Sequence, residues 1–393
     1  MNHKLIITKL DNHIVSAVFA ENDMLQVNLD KTDKQSILGN IYNGKVKNIV
    51  KNINAAFVEI MDGRMCYLAI EENPKPIYAK PKKTDRIVIG DEILVQISKE
   101  DVKTKAPVVT TNLNFTGKYV VLIHGKSTLG VSSKIDDENE RKRLKEIMKP
   151  FRQETYGFII RTNAVYKPAE QIQEEVTELI RQYEEIKEFG IHKSAFSLIY
   201  ETPPGFICDI RDGFADKINE IQTDKQEIYD NIYSYLKSYQ KEDLPKLKFY
   251  EDKLITLGNL YGIRTKLDNA LREKVWLKSG GTIIIQPTEA LTVIDVNTGK
   301  AISGKKKAQD TFLKINMEAA TEIAKQIRLR NLSGIIIIDF IDMEEPDYKN
   351  RLMKELEELF KNDPIKTTLV DMTALNLVEV TRKKVRKPLY EQL

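Results

Sequence analysis

Residues 4–35 alternate apolar and polar positions through Leu5-Ile6-Ile7, Ile14 to Phe19 and Leu25 to Leu29, with polar turns between them. A two-residue period of this kind predicts a meander of short strands. From Gly39 the pattern tightens into runs at 39–50, 54–60, 63–68 and 90–97 with glycine turns, which predicts a small barrel. The proline- and lysine-rich stretch 73–86 reads as a loop between its third and fourth strands, with an electrostatic role. Beyond it, strands are predicted at 119–123 and 157–162, flanking a charged helix near 137–148, and a longer charged helix follows over 169–189. The region 205–271 reads as a short strand at 205–210 with helices around 225–239 and 262–272.

The final stretch opens on a glycine turn, Lys278-Ser-Gly-Gly281, and then sets an aspartate at the end of each of two apolar, β-branched runs. These are Leu291-Thr-Val-Ile-Asp295 and Gly334-Ile-Ile-Ile-Ile-Asp339, and such runs read as buried strands. Between them, 310–330 predicts a helix with the inward stripe Phe312, Ile315, Ala319, Ile323 and Ile327. A strand, a crossover helix and a second strand would bring both acids to the same side, where they could share one hard cation. Asn297 falls on the same strand face as Asp295, where its amide would steady the carboxylate or contact a phosphate. Magnesium suits such a pair, because it keeps several waters and needs only one or two protein carboxylates. The competing reading is structural, with Asp295 opening an Asp-x-Asn turn and Asp339 capping the next element. Asp342 reads as solvated.

At 393 residues the chain exceeds one ordinary core and predicts about two to four compact units. Sixty-one lysines and arginines against 58 acids leave a formal charge of +3, so an anionic partner must be held by local patches. No apolar run approaches the roughly 20 residues that span a bilayer, and the amino terminus lacks a signal-peptide pattern. The expected location is cytoplasmic. Cys66 and Cys208 form no Cys-x-x-Cys pair, so zinc is not expected in this chain and both thiols read as buried.

Over 36–111, Gly-Lys-Val, Ala-Ala-Phe-Val, an aromatic-Leu pair after a glycine turn and Gly-Asp-Glu-Ile-Leu-Val-Gln-Ile occur in an order that resembles an S1-type OB barrel. Such barrels stack bases on exposed aromatics while lysines track the phosphates. Phe57 and Tyr67 are the candidate platforms, with Lys45, Lys47 and Lys105 as charge partners, against the alternative that both rings are core.

Asp295-Val-Asn-Thr-Gly, Asn316-Met-Glu-Ala-Ala-Thr-Glu-Ile-Ala-Lys-Gln-Ile-Arg-Leu-Arg330 and Ile338-Asp-Phe-Ile-Asp-Met343 resemble the signature of the ribonuclease E/G family, and the likeness covers nearly the whole chain. The resemblance implies an α+β multidomain fold: an RNase H-like unit in two parts, 1–35 and 207–271, interrupted by the S1 domain at 36–117 and a 5′-sensor domain at 118–206. A DNase I-like catalytic domain at 272–393 would follow. It implies magnesium on Asp295 and Asp339, assisted by Asn297, and cleavage of single-stranded RNA to 5′-monophosphate and 3′-hydroxyl ends. It further implies a pocket for the substrate's 5′-monophosphate. Gly117 to Val121 would supply main-chain contacts there and Arg161 and Thr162 a clamp, while Lys366 stands where the family usually has arginine. Lysine keeps the charge and loses the planar fork.

Family members usually carry a Cys-Pro-x-Cys segment joining two subunits through zinc. The sequence given ends at Leu393 without one, and a homodimer through the catalytic domain is compatible with its absence. The leading expectation is therefore a magnesium-dependent endoribonuclease of rRNA processing and mRNA decay, stimulated by a 5′-monophosphate, with single-stranded RNA as partner and no membrane insertion. The rivals are a non-catalytic S1-type RNA-binding scaffold and a metal phosphohydrolase acting on DNA or a small nucleotide.

Overall fold

Four sheets carry the chain in a computed structural model that describes residues 3–33, 36–73, 75–80, 82, 84, 86–101, 105–212, 218–299 and 308–393. The chain divides into two compact units, Met1–Lys34 with Gly205–Leu393, and Gln35–Pro204. Among the described residues, no helix is long and apolar enough to cross a membrane.

In the first unit, the meander His3–Leu10, His13–Ala20 and Asp23–Lys31 joins Ile218–Thr223 and Leu247–Phe249 in one sheet, with His3–Leu10 parallel to Ile218–Thr223. Leu5 and Ile7 point to one face, against the helices Gly205–Asp212 and Gln226–Tyr239; Ile6 points to the other, against Ile263–Leu271. Burial on both faces explains why this strand reads as a continuous apolar run. The strand expected at 205–210 is instead the helix Gly205–Asp212, with Phe206, Ile207 and Ile210 buried together. Spacings of one, three and four residues share a helix face, and a run this short leaves period two and period 3.6 indistinguishable.

The second sheet of this unit runs Lys274–Trp276, Thr282–Pro287, Leu291–Asn297, Gly334–Asp339, Leu377–Arg382 and Thr367–Met372 in spatial order. Ala308–Leu329 and Pro346–Lys361 pack on one face. The predicted stripe is inward, with Ile315, Ala319, Ile323 and Ile327 buried and Phe312 partly so. Alternate strand residues, including Ile283, Ile285, Ile294, Val296, Ile336, Ile338, Val378 and Val380, meet these helices. The residues between them line the opposite face.

The basic run near the end is more structural than its charge suggests. Arg382 and Asp363, each 2% exposed, pair at 2.7 Å, and the same guanidinium bonds Asn331 Oδ1 at 2.8 Å and the Leu332 carbonyl at 3.0 Å. Arg386 reaches Asp209 at 2.9 Å, and Asp209 also accepts from Ser16 and Asn28.

In the second unit, Ile41–Val50, Ala55–Glu59, Met65–Ala69, Glu92–Lys99 and Val108–Thr110 form a five-stranded barrel, closed where Ile41–Val50 pairs with Glu92–Lys99. Gly44 lies on the strand that pairs on both sides; a Cβ there would sit 2.5 Å from Val58 and 3.0 Å from Val95. Cys66 is buried, which pushes its thiol up to about 11, whereas Cys208 in the other unit is only half-buried. In the loop at 73–86, Lys80 pairs with Glu92 and Lys82 with Asp91, so these two lysines serve the barrel itself; Pro74, Pro81, Lys83 and Asp85 lie outside the described residues.

A separate four-stranded sheet, Leu129–Val131, Tyr156–Ile160, Val120–His124 and Asn114–Thr116, packs under Glu138–Met148 and Ala169–Gly190. Leu198–Tyr200 pairs with the barrel strand Ile41–Val50, and Asn114–Thr116 with Val120–His124, so both pairings cross the one boundary drawn from sequence between 117 and 118.

Replacing Arg382 with alanine strands the buried Asp363 carboxylate. The expected loss is about 3–5 kcal/mol of stability, read as a lowered urea midpoint.

Candidate active site

Leu291–Asn297 and Gly334–Asp339 are adjacent and parallel, and Asp295 stands in register with Asp339. The apolar runs and the crossover helix Ala308–Leu329 produce this arrangement, because a parallel connection needs a long return path and the helix stripe covers the strands it joins. Asp339 ends its strand as expected. Asp295 is internal to its own, which continues through Val296 and Asn297 because Val296 still packs into the core. Ile294, Val296 and Ile338 point inward, so both carboxylates emerge on the sheet face opposite the helices.

Like charges directly opposite one another on neighbouring strands repel. Burial, then the negative charges of Asp295 and Asp342, hold the Asp339 carboxyl above the usual range. Asn297 relieves part of the strain, since its amide Nδ2 donates to Asp295 Oδ2 at 2.5 Å. Asp342 is exposed and accepts from Asn376 Nδ2 at 3.0 Å, and Lys349 Nζ donates to Asn376 Oδ1 at 2.7 Å. Among the described residues, no group of three or more His, Cys, Asp or Glu is placed to hold a metal ion. A pair of oxygen donors with excess negative charge fits a hard divalent cation that keeps most of its waters, as magnesium does.

Two supporting residues went unassigned from sequence, although both lie within the quoted helix segment. Fully buried Asn316 donates to the Ile341 carbonyl at 2.8 Å and accepts from the Ile341 N–H at 3.1 Å, fixing the chain just past Asp339. Glu318 accepts from the N–H groups of Lys278, at 2.6 Å, and Ser279, at 3.2 Å, tying down the 278–281 turn. That turn meets the segment after Asn297: a Cβ on Gly299, whose φ is +56°, would lie 2.3 Å from the Gly280 carbonyl. The legible signal for Asn316 is a polar side chain inside an otherwise apolar helix stripe.

On the barrel, Phe57 and Tyr67 are cross-strand partners with ring centroids 6.2 Å apart and planes at 78°. Both are half-buried, while Ala56, Val58, Cys66 and Leu68 fill the interior, so the two rings lie on the outer surface rather than in the core. Lys45 stands opposite Glu59, Lys47 pairs with Glu59 at 2.6 Å, and Lys105 is exposed.

Near the expected phosphate clamp, Arg161 Nη1 donates to the Gly117 carbonyl at 2.5 Å and Thr162 is exposed. Val121 stands in register with Thr116 and Ile159. The main-chain donors of this segment are engaged: Gly117 N–H bonds the Val120 carbonyl at 2.8 Å, and Glu175 accepts from Lys118 at 2.8 Å, Tyr119 at 2.8 Å and Val120 at 2.9 Å. Burial raises the Glu175 carboxyl above its usual range, opposed by these three bonds and the Arg161 charge. Lys366 is exposed and belongs to the other unit.

The model of the Ribonuclease E/G family matches residues 114–385, and that of the S1 RNA binding domain matches 35–112. Ribonuclease G of Haemophilus influenzae is 32% identical over 396 residues, covering 98% of this chain and 80% of that protein. Ribonuclease G of Escherichia coli is 33% identical over 373 residues, 92% of this chain and 76% of the relative. Ribonuclease E of a Nostoc species is 34% identical over 387 residues, 97% of this chain and 56% of the relative. Resemblance along almost the full length, in mixed α+β architecture with a five-stranded S1 barrel, has one consequence: the chain belongs to the ribonuclease E/G family.

Proposed function

We propose that Asp295 and Asp339 hold a magnesium ion at which single-stranded RNA is hydrolysed, with Asn297 fixing the Asp295 carboxylate and the S1 barrel holding the strand. Endoribonuclease activity in RNA processing follows from the family and from the S1 domain. The observation that carries the metal assignment is the Asp295–Asp339 register, two like charges opposed on an open sheet face.

When bound, the ion polarises the phosphodiester and makes an attacking water more acidic. The chain's own part is positional. Asn316 fixes the chain two residues past Asp339, Glu318 fixes the turn that meets the segment after Asn297, and Asn297 occupies one Asp295 oxygen and leaves the other for the ion. Attack by water with departure of the 3′-oxygen yields a 5′-monophosphate and a 3′-hydroxyl. Phe57 and Tyr67, with Lys45 and Lys105, offer stacking and charge for the strand. On this reading the sheet of residues 3–31 and 218–249 is the structural RNase H-like part, and the six-stranded sheet belongs to the DNase I-like catalytic domain.

Asp295→Asn or Asp339→Asn should abolish magnesium-dependent cleavage of a single-stranded oligoribonucleotide while RNA binding persists. Parental cleavage rates in either variant would remove the metal assignment, and RNA binding with no magnesium-dependent product from the parent would favour the scaffold reading.

A melting series gives an independent check. A carboxyl raised in the folded state favours the neutral acid, so without a cation Asp339 contributes stability as pH falls below its raised value and loses it as pH rises through that value. Above that window magnesium should raise the parental Tm, and Asp339→Asn should melt higher than the parent without magnesium yet respond less to it. Equal magnesium responses would count against the site.

For stimulation by a 5′-monophosphate, Arg161 and Thr162 are the side chains offered, with Gly117 and Val121 framing them and Lys366 assigned by resemblance alone. Because Glu175 engages the adjacent N–H groups, recognition would fall mainly to the Arg161 charge. Charge-assisted bonds of about 1.5–3 kcal/mol correspond to roughly 10- to 100-fold. Arg161→Ala should lower the ratio of 5′-monophosphate to 5′-hydroxyl cleavage by that factor and spare the 5′-hydroxyl rate. A parental ratio of one would remove the sensor and leave the metal site standing.

A further inference from the structure

The chain has a single tryptophan, Trp276, and it is 69% exposed. It ends the edge strand Lys274–Trp276 of the six-stranded sheet, and its placement follows from register. Val275 stands opposite Ile283 and packs against the helix-covered core. Lys274 and Trp276, one residue to either side, therefore project to the opposite face, the one that carries the aspartates.

Register then aligns them with the site. Trp276 faces Thr282, which faces Asn297; Lys274 faces Ile284, which faces Asp295, which faces Asp339. Neighbouring strands are about 4.8 Å apart, so Lys274 and Trp276 lie roughly 10 Å from the Asp295 strand along the sheet. Lys274 Nζ sits 4.4 Å from the centroid of the Trp276 ring. An indole is a large apolar surface to leave in water, and a cation held against it puts a positive charge beside a stacking face.

We propose that Trp276 is a stacking platform for a nucleobase of the single-stranded RNA beside the scissile phosphate, with Lys274 contacting that nucleotide's backbone. Bases stack on aromatic faces irrespective of sequence, and the neighbouring ammonium suits the phosphate that each base carries. The platform lies on the same sheet face as the aspartate pair, so one strand can engage both without leaving that face. This inference rests on reading Asp295 and Asp339 as the cutting site.

Because Trp276 is the only tryptophan, indole emission reports on it directly. With magnesium withheld by a chelator, titrating the full chain with a 5′-monophosphorylated oligoribonucleotide should change the emission saturably. With magnesium present, Trp276→Ala should raise KM about 5- to 100-fold, the usual range for losing one stacked base. Trp276→Phe, which keeps an aromatic face, should restore most of it. An oligomer made abasic at one position near the cut should lose its sensitivity to Trp276→Ala, whereas a purely structural edge residue would penalise intact and abasic oligomers alike and overturn the proposal. Cleavage by a parent whose emission ignores RNA overturns the platform and leaves the cutting site intact. RNA-dependent emission without cleavage under any condition supports the platform and sinks the cutting-site reading instead.

Discussion

Two aspartates stand opposite each other on adjacent parallel strands, and the surrounding structure is arranged to keep them there despite their repulsion. Neighbouring strands in register cannot move their side chains apart without breaking the ladder, so the backbone imposes the proximity. The core enforces it: Ile294, Val296 and Ile338 are buried against the crossover helix, and slipping either strand by one residue would exchange them for the carboxylates. On the proposed reading, a divalent cation held between them would turn this repulsion into binding.

The helix Ala308–Leu329 does more than cover the sheet. Its apolar stripe packs on the strands, Asn316 bonds both the N–H and the carbonyl of Ile341, and Glu318 caps the 278–281 turn. One element therefore ties down the backbone near both aspartates. The Arg382–Asp363 pair secures the far side of the sheet, with Asn331 and the Leu332 carbonyl accepting from the Nη1 donors. A buried ion pair is tolerable when its hydrogen-bonding capacity is met in this way.

Charge in this chain is spent locally rather than as a field. With a net charge of +3, several of its cations have specific internal partners: Arg382 with Asp363, Arg386 with Asp209, Lys82 with Asp91 and Lys47 with Glu59. The anions follow the same rule, as Glu175 shows by accepting three consecutive main-chain N–H groups beside Arg161. On the proposed reading, contact with RNA draws on groups that face outward, among them Lys105 and the Lys274–Trp276 pair.

Periodicity alone yielded the meander, four of the barrel strands, the helices Glu138–Met148 and Ala169–Gly190 and the strand–helix–strand that carries the aspartates, because each of these buries a regular face and the pattern records which residues are inward; it left the helix Pro346–Lys361 and the barrel strand Val108–Thr110 unassigned. It also placed Asn297 beside Asp295, since positions two apart on a strand share a face. It misassigned 205–210, where a short apolar run is equally compatible with strand and helix, and packing against two sheet strands decided for helix. The tertiary structure alone decided what depends on which strands become neighbours: that Asp295 meets Asp339, that Trp276 shares their face, that Glu175 fills the N–H groups of 118–120, and that the basic run supplies buried struts. Sequence records the inside and outside of each element, whereas adjacency between distant segments comes from register and packing, which no local pattern encodes.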